Sequence, residues 1–82
     1  MDKIYIEVFV PGIDKSYDMV ASEDLTIREL ADYMLRTISE FEQLNIESDD
    51  CILCNMQSKT VYRGDVSVSE CKINDGSRLM LV

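Results

Sequence analysis

The stretch from Thr26 to Leu44 constrains the fold of this chain more than any other. Its apolar side chains recur at the spacing of an α-helix, which places them on one face of the helix and the polar side chains on the other. The apolar stripe consists of Ile27, Leu30, Ala31, Met34, Ile38 and Phe41, with Leu35 at its margin. No second helix of comparable length is predicted, so we expect a sheet to cover this stripe.

The two ends of this helix carry different signals. Thr26 and Glu29 form a capping-box pattern, in which each side chain accepts a hydrogen bond from the other residue's backbone N–H. Asp24 suits the positive end of the helix dipole. Asn45 is predicted in the left-handed cap position, and the polar residues 47–50 cannot extend an apolar stripe. The helix is therefore predicted over about residues 26–44.

Two strands are predicted before the helix. Residues 3–10 alternate strictly, with Ile4, Ile6, Val8 and Val10 on one face and Lys3, Tyr5, Glu7 and Phe9 on the other. Residues 16–21 alternate again, and the turn signal at Pro11-Gly12 between the two segments predicts a β-hairpin. The second strand is expected to turn Tyr17, Met19 and Ala21 into the core and Asp18 and Val20 outward.

Two further strands are predicted after the helix. Residues 50–56 are apolar on both faces, which is typical of a central strand or of a strand whose outer face is covered by a partner. Residues 60–62 predict a short fourth strand, which follows a turn at residues 57–59.

The last part of the chain combines a loop, a turn and a strand. The loop over residues 66–73 is anchored by Val68, Cys71 and Ile73, and one helical turn is expected near its start. Gly76 is predicted at positive φ in a tight turn. The strand over residues 78–82 is expected to turn Leu79 and Leu81 inward and Met80 and Val82 outward.

This order of elements predicts an α+β domain. The last strand is expected beside the first and parallel to it, because the connection through a helix crosses over the sheet. One main helix across a mixed sheet of four to five strands is the β-grasp arrangement. No repeat, linker or low-complexity segment divides the chain, so residues 1–82 are interpreted as a single domain.

The composition argues against several classes of function. Sixteen acidic side chains against eight basic ones give a net charge of −8, which disfavours nucleic acid as a partner because phosphates need a basic footprint. The chain has no long apolar run and no charged-then-apolar N-terminal signal. Neither membrane insertion nor export is therefore expected, and a cytoplasmic location is predicted.

The residues that could carry chemistry do not form a catalytic pattern. Three cysteines without a secretory signal predict free thiols in a reducing compartment. The pair Cys51 and Cys54 is interpreted as structural, like Cys71, because the chain has no histidine and no second pair at this spacing. Two pairs of acids are interpreted as solvated charge: Asp49 with Asp50, and Glu40 with Glu42. No enzyme activity, cofactor or metal is expected.

A family resemblance is carried mainly by the C-terminal third. This part contains Val61-Tyr62-x-Gly64 and then Val68-x-x-Cys71-x-Ile73-x-Asp75-Gly76-x-x-Leu79-x-Leu81. The chain thereby resembles ubiquitin-like proteins, and specifically the bacterial YukD (EsaB-like) family associated with ESX-type, or type VII, secretion. The resemblance implies a ubiquitin-like β-grasp fold. It also implies an accessory or adaptor role, exerted by binding a protein component of the secretion apparatus.

The sequence departs from ubiquitin at its end. Ubiquitin and the sulfur-carrier proteins carry a flexible Gly-Gly tail, whereas this sequence ends at Val82 within the last predicted strand. The comparison implies a non-conjugating protein. Two alternatives stay open: a ubiquitin-like interaction domain of a larger membrane secretion component, and a sulfur carrier or protein tag. The initiating Met1 favours a stand-alone protein over the first of these.

Function is then expected on the sheet face that the helix leaves uncovered. The predicted protein-binding residues on this face are Tyr5, Phe9, Val20, Ile52, Met80 and Val82. The third strand adds either Ile52 and Cys54 or Cys51 and Leu53 to this face, because a slip of one residue would exchange its two faces. Ile52 is favoured because Leu53 then lies in the core. A homodimer through this face is one alternative. Scattered apolar residues without a binding function are the other.

Overall fold

The computed structural model describes residues 3–43 and 52–82, in which four strands and one helix follow one another. The elements are β1 (Lys3–Val10), β2 (Lys15–Ser22), α1 (Ile27–Glu42), β3 (Leu53–Asn55) and β4 (Ser77–Leu81). The strands form one mixed sheet in the order β2-β1-β4-β3. β1 is antiparallel to β2 and parallel to β4, and β3 is antiparallel to β4. This is the predicted β-grasp arrangement, with the parallel pair at the centre of the sheet.

The core lies between α1 and one face of the sheet. Alternate residues of β1 are buried, as the sequence pattern predicts, and Leu79 and Leu81 continue the same face from β4. The helix contributes its apolar stripe from above, and the loop after β3 closes one end of the core. The side chains with essentially no exposed surface are Val8, Leu30, Met34, Ile38, Val68 and Leu79.

The predicted capping box is present at the start of α1. The hydroxyl of Thr26 accepts a hydrogen bond from the Glu29 backbone N–H at 3.2 Å, and the Glu29 carboxylate accepts one from the Thr26 N–H at 2.9 Å. The bond from the Thr26 N–H, and then one that the Thr26 hydroxyl donates to the same carboxylate at 3.1 Å, lower the pKa of Glu29.

A loop completes the hydrogen bonding of the helix N-terminus. The first N–H groups of a helix have no partner within it. Here the N–H of Ile27 donates to the Val66 carbonyl at 2.8 Å, and the N–H of Arg28 donates to the Gly64 carbonyl at 3.0 Å. The N–H of Val68 returns a bond to the Leu25 carbonyl at 2.8 Å. The predicted anchors Val68 and Ile73 are buried, which confirms the interpretation of this loop.

The helix ends earlier than predicted. Its last residue is Glu42, and Gln43 takes the left-handed cap position at φ 55°, with its N–H bonded to the Ser39 carbonyl. The predicted end at Leu44 was therefore two residues late, because the backbone already turns at Gln43. Asn45, the predicted cap, lies outside the described residues.

The prediction that Phe41 lies in the core was wrong. Its side chain is 78% exposed, whereas Ile38 one turn earlier is 1% exposed. The last turn of α1 lies beside β2, and β2 is the edge of the sheet, so no further strand covers Phe41. The ring instead packs edge-on against Tyr17, with the ring centroids 6.2 Å apart. Leu35, placed at the margin of the stripe, is buried.

The predicted strands around residues 50–62 are shorter in the structure. β3 covers only Leu53–Asn55, and the predicted fourth strand is reduced to one bridge between Cys54 and Val61. The Asn55 side chain accepts hydrogen bonds from the N–H groups of residues 57 and 58, which curls the chain away from the sheet. The sheet of the described residues therefore has four strands, the lower end of the predicted range. β3 is at the edge of this sheet and is not the central strand that its two apolar faces suggested, because β4 lies between it and β1.

One ion pair joins the hairpin to the end of the helix. Lys15 Nζ lies 2.9 Å from the Glu42 carboxylate, which also accepts a hydrogen bond from the Tyr17 hydroxyl at 2.9 Å. Hydrogen bonds from Lys15 and then Tyr17 lower the pKa of Glu42, and the same bond to Glu42 raises the pKa of Lys15. Glu42 is thus a structural partner rather than the solvated charge that the sequence suggested.

Truncation of the helix stripe tests the difference between Ile38 and Phe41. Ile38→Ala should lower the free energy of unfolding by about 2–5 kcal/mol, because it leaves a cavity in the core. Phe41→Ala should lower it by roughly 1 kcal/mol or less, because the ring is mostly exposed. Urea denaturation followed by circular dichroism measures both. Equal losses would contradict the placement of α1 on the sheet.

The Glu42 contacts predict a pH-dependent stability difference. Because the folded-state pKa of Glu42 is lowered, its stabilising effect is present above the unfolded-state pKa of about 4.3 and is lost as the pH falls through the folded-state pKa. Wild type should therefore be more stable than Glu42→Gln at neutral pH, and the two should converge in acid. Urea midpoints at a series of pH values measure this. Glu40→Gln, an exposed position on the same helix, is the control. It should have little effect on how the urea midpoint falls at acid pH.

Candidate protein-binding surface

The outer face of the sheet consists of rows of side chains that cross the strands. Residues paired in register across neighbouring strands point to the same face, so the pairing fixes the neighbours on this surface. One end of the face carries Tyr5 of β1 opposite Val20 of β2, and both are exposed. The Tyr5 N–H also donates to the Asp75 carboxylate at 2.8 Å, which holds this end of β1 against the turn before β4.

A charged row crosses the middle of the outer face. Glu7 pairs with Asp18 on one side and with Arg78 on the other. Arg78 Nε lies 3.8 Å from the Glu7 carboxylate, and both side chains are partly exposed, so this pair contributes little stability. The row separates the Tyr5–Val20 pair from the rest of the predicted residues.

Beyond this row, apolar side chains collect into one patch. Phe9 pairs with Met80, Met80 pairs with Cys54, and Cys54 pairs with Val61. Next to them, the backbones of Ile52 and Val82 exchange hydrogen bonds of 2.7 and 2.9 Å. We call this surface the Phe9 patch, and its members are Phe9, Ile52, Cys54, Val61, Met80 and Val82.

Exposure differs within the Phe9 patch. Ile52, Val61 and Val82 are exposed at its rim, whereas Phe9 and Met80 are half-buried. Cys54 is only 4% exposed, although it does not belong to the main core cluster, so its neighbours on the outer face cover it. Its thiol is free and donates to the Met80 carbonyl at 3.6 Å. The centre of the patch is therefore closed to solvent at Cys54, and its apolar rim is accessible.

The structure divides the six residues predicted for this face into two groups. Phe9, Ile52, Met80 and Val82 lie together in the Phe9 patch, and Tyr5 and Val20 lie beyond the charged row. The predicted register of β3 is confirmed, because Leu53 is buried and Ile52 is exposed.

Val61, which is 60% exposed, was missed by the sequence analysis. The signal for it is the pairing of residues 60–62 with 53–55, since this pairing fixes the face on which Val61 lies.

The described residues offer no arrangement for metal chemistry. Within residues 3–43 and 52–82, no three side chains among histidine, cysteine and the acids are placed to hold a metal ion. Cys71 is half-buried, and this burial raises the pKa of its thiol. Cys51, Asp49 and Asp50 lie outside the described residues. In the same part of the chain, no helix is long and apolar enough to cross a membrane.

The fold is that of ubiquitin-like domains. A ubiquitin-like domain of EccD5 from Mycobacterium xenopi superimposes with a TM-score of 0.79 at 19% sequence identity, over 100% of this chain and 94% of that one. A ubiquitin from Caldiarchaeum subterraneum gives 0.74 at 10% identity, over 98% and 91%. The UBL domain of Plasmodium falciparum Dsk2 gives 0.71 at 14% identity, over 99% and 100%.

These likenesses establish a ubiquitin-like β-grasp fold. At such low identities they carry the fold alone, and the surfaces of this chain have to be interpreted from its own residues. No protein-family model matches the sequence, and no curated protein matches it either.

The reactivity of Cys54 tests the arrangement of the Phe9 patch. In a chain with Cys51→Ser and Cys71→Ser, Cys54 is the remaining thiol, and it should react slowly with iodoacetamide because its neighbours cover it. Met80→Ala should speed the reaction severalfold, since it removes a covering side chain and keeps the carbonyl that Cys54 contacts. Intact mass against time measures the rate. Val20→Ala, beyond the charged row, should leave the rate unchanged; acceleration by both substitutions would contradict this arrangement.

Proposed function

We propose that this chain is a ubiquitin-like adaptor that acts in the bacterial cytoplasm by binding a protein component of a type VII secretion apparatus through the Phe9 patch. The observation that carries the proposal is the patch itself. Four of the six predicted residues come together on the open face of the sheet, where a small domain gains nothing in stability from exposed apolar side chains.

The shape of the Phe9 patch suits a protein partner. Interfaces between proteins centre on large side chains that desolvate completely, and a polar rim surrounds them. Phe9 and Met80 supply such a centre, and the charged row of Asp18, Glu7 and Arg78 borders it on one side. A nucleic acid would meet a domain with a net charge of −8.

The secretion context rests on two similarities. The motifs of the C-terminal third resemble those of the YukD family, and one structural neighbour is a ubiquitin-like domain of EccD5. Both point to the same kind of system, although at low identity. The binding surface follows from the residues of this chain, and the secretion system follows from the two similarities.

Substitution within the Phe9 patch should separate binding from folding. Phe9→Glu should abolish co-purification of the chain with the detergent-extracted secretion apparatus, because a carboxylate in the centre of an interface loses its hydration. The chain should stay folded, with its free energy of unfolding lowered by about 1–2 kcal/mol, because Phe9 is half-buried on the outer face and not in the core. Gln57→Glu is the control: it adds the same charge at an exposed turn outside the patch and should retain binding.

The same variants test the secretion role in cells. Deletion of the gene should stop export of the small helical substrates of the system, and wild type and Gln57→Glu should restore it, whereas Phe9→Glu should not. Normal export in the deletion strain would refute the secretion role. Unfolding of purified Phe9→Glu would instead show that the facing of β1 is wrong.

A further inference from the structure

A second apolar surface lies at one edge of the sheet, between the edge strand β2 and the C-terminal half of α1. It is a groove of about 760 Å³, lined by Tyr17 and Met19 of β2 and by Tyr33, Thr37 and Phe41 of α1. The rings of Tyr33 and Phe41 are 43% and 78% exposed. The groove shares no residue with the Phe9 patch.

One wall of this groove is an open sheet edge. β2 pairs with β1 on one side. On its other side, the backbone groups of residues 16–21 have no hydrogen-bond partner among residues 3–43 and 52–82. Edge strands are usually protected from pairing by proline, by bulges or by charges along the edge. Here β2 pairs in continuous register, and its charges are Lys15 at its start and Asp18 in its middle.

We propose that this groove binds an extended peptide segment of a protein partner, which adds a fifth strand to the free edge of β2. Apolar side chains of the segment alternate with basic ones. Strand addition satisfies the open edge through main-chain hydrogen bonds, and pockets for alternate side chains supply specificity. The inference does not rest on the proposed secretion role, because it concerns a different surface and is argued from that surface alone.

The two faces of β2 determine this alternation. A strand added to β2 would place every second side chain on the helix side of the sheet, against Tyr17, Met19 and the ring of Phe41. These positions should be apolar. The intervening side chains would lie on the outer face, beside Asp18.

Asp18 favours a basic side chain of the bound segment at those intervening positions. Its carboxylate forms no ion pair within the described residues, and its cross-strand neighbour is another acid, Glu7. Arg78 lies on the far side of Glu7, 3.8 Å from the Glu7 carboxylate. A lysine or arginine opposite Asp18 would relieve this repulsion, and the net charge of −8 would attract a basic segment over a longer distance.

The same charges argue against a second copy of this chain as the occupant. Pairing of two β2 edges would bring the Asp18 side chains of two acidic domains toward each other, and like charges across a sheet are destabilising. The negative charge that opposes self-association would attract a basic partner.

Titration of the isotope-labelled 82-residue chain with designed peptides tests this inference. The probe is a short capped peptide in which valine and lysine alternate. NMR should show shift changes in β2 and at Tyr33 and Phe41, and the outward amides of β2 should exchange more slowly with solvent. A valine–glutamate peptide, and a peptide with the valines and lysines in separate blocks, should each bind at least about fivefold more weakly.

Variants of the chain locate the binding site. Asp18→Lys should weaken the valine–lysine peptide about fivefold or more and improve the valine–glutamate one. Phe41→Ser should also weaken binding, whereas Gln57→Glu, at an exposed turn outside both surfaces, should leave it unchanged. Equal affinity for all three peptides would overturn the proposal. So would shift changes confined to residues 44–51 or to the Phe9 patch, or a concentration-dependent dimer through β2.

Discussion

Burial of one helical stripe against the inner face of β1 is the interaction on which the rest of this structure depends. β1 is a central strand, and each of its inward side chains is buried beneath α1. Because α1 packs on one face of the sheet, the described residues leave the other face and the outer edge of β2 uncovered. The helix is held in place at both ends, by the loop at residues 64–68 and by the Lys15–Glu42 pair.

Much of this could be predicted from the sequence where a pattern repeats. The strict alternation of residues 3–10 and the helical stripe determine two elements and their buried faces, and the capping box marks the helix start to the residue. The order of elements then leaves few topologies. The parallel pairing of the first and last strands and the burial of Leu53 followed from these signals.

The differences arise where tertiary position overrides a local pattern. Phe41 fits the helical stripe, but no strand of the described part of the chain lies beneath it. The spacing of apolar residues in a helix does not show how wide the sheet beneath the helix is. Val61 joins the Phe9 patch through the pairing of a hairpin whose register no turn signal defined. The division of the predicted face by Glu7 and its neighbours depends on which residues stand opposite each other, which a single strand does not reveal.

The central position of β4 has a consequence for synthesis of this protein. β1 and β4 lie side by side, yet β1 is the first element of this domain to be synthesised and β4 is the last. Until β4 has left the ribosome, β1 has only β2 as a partner, and a two-stranded hairpin is marginally stable in water. The parallel pairing at the centre of the sheet therefore forms only after the other elements of the domain have been synthesised, and it joins residues that are far apart in the sequence.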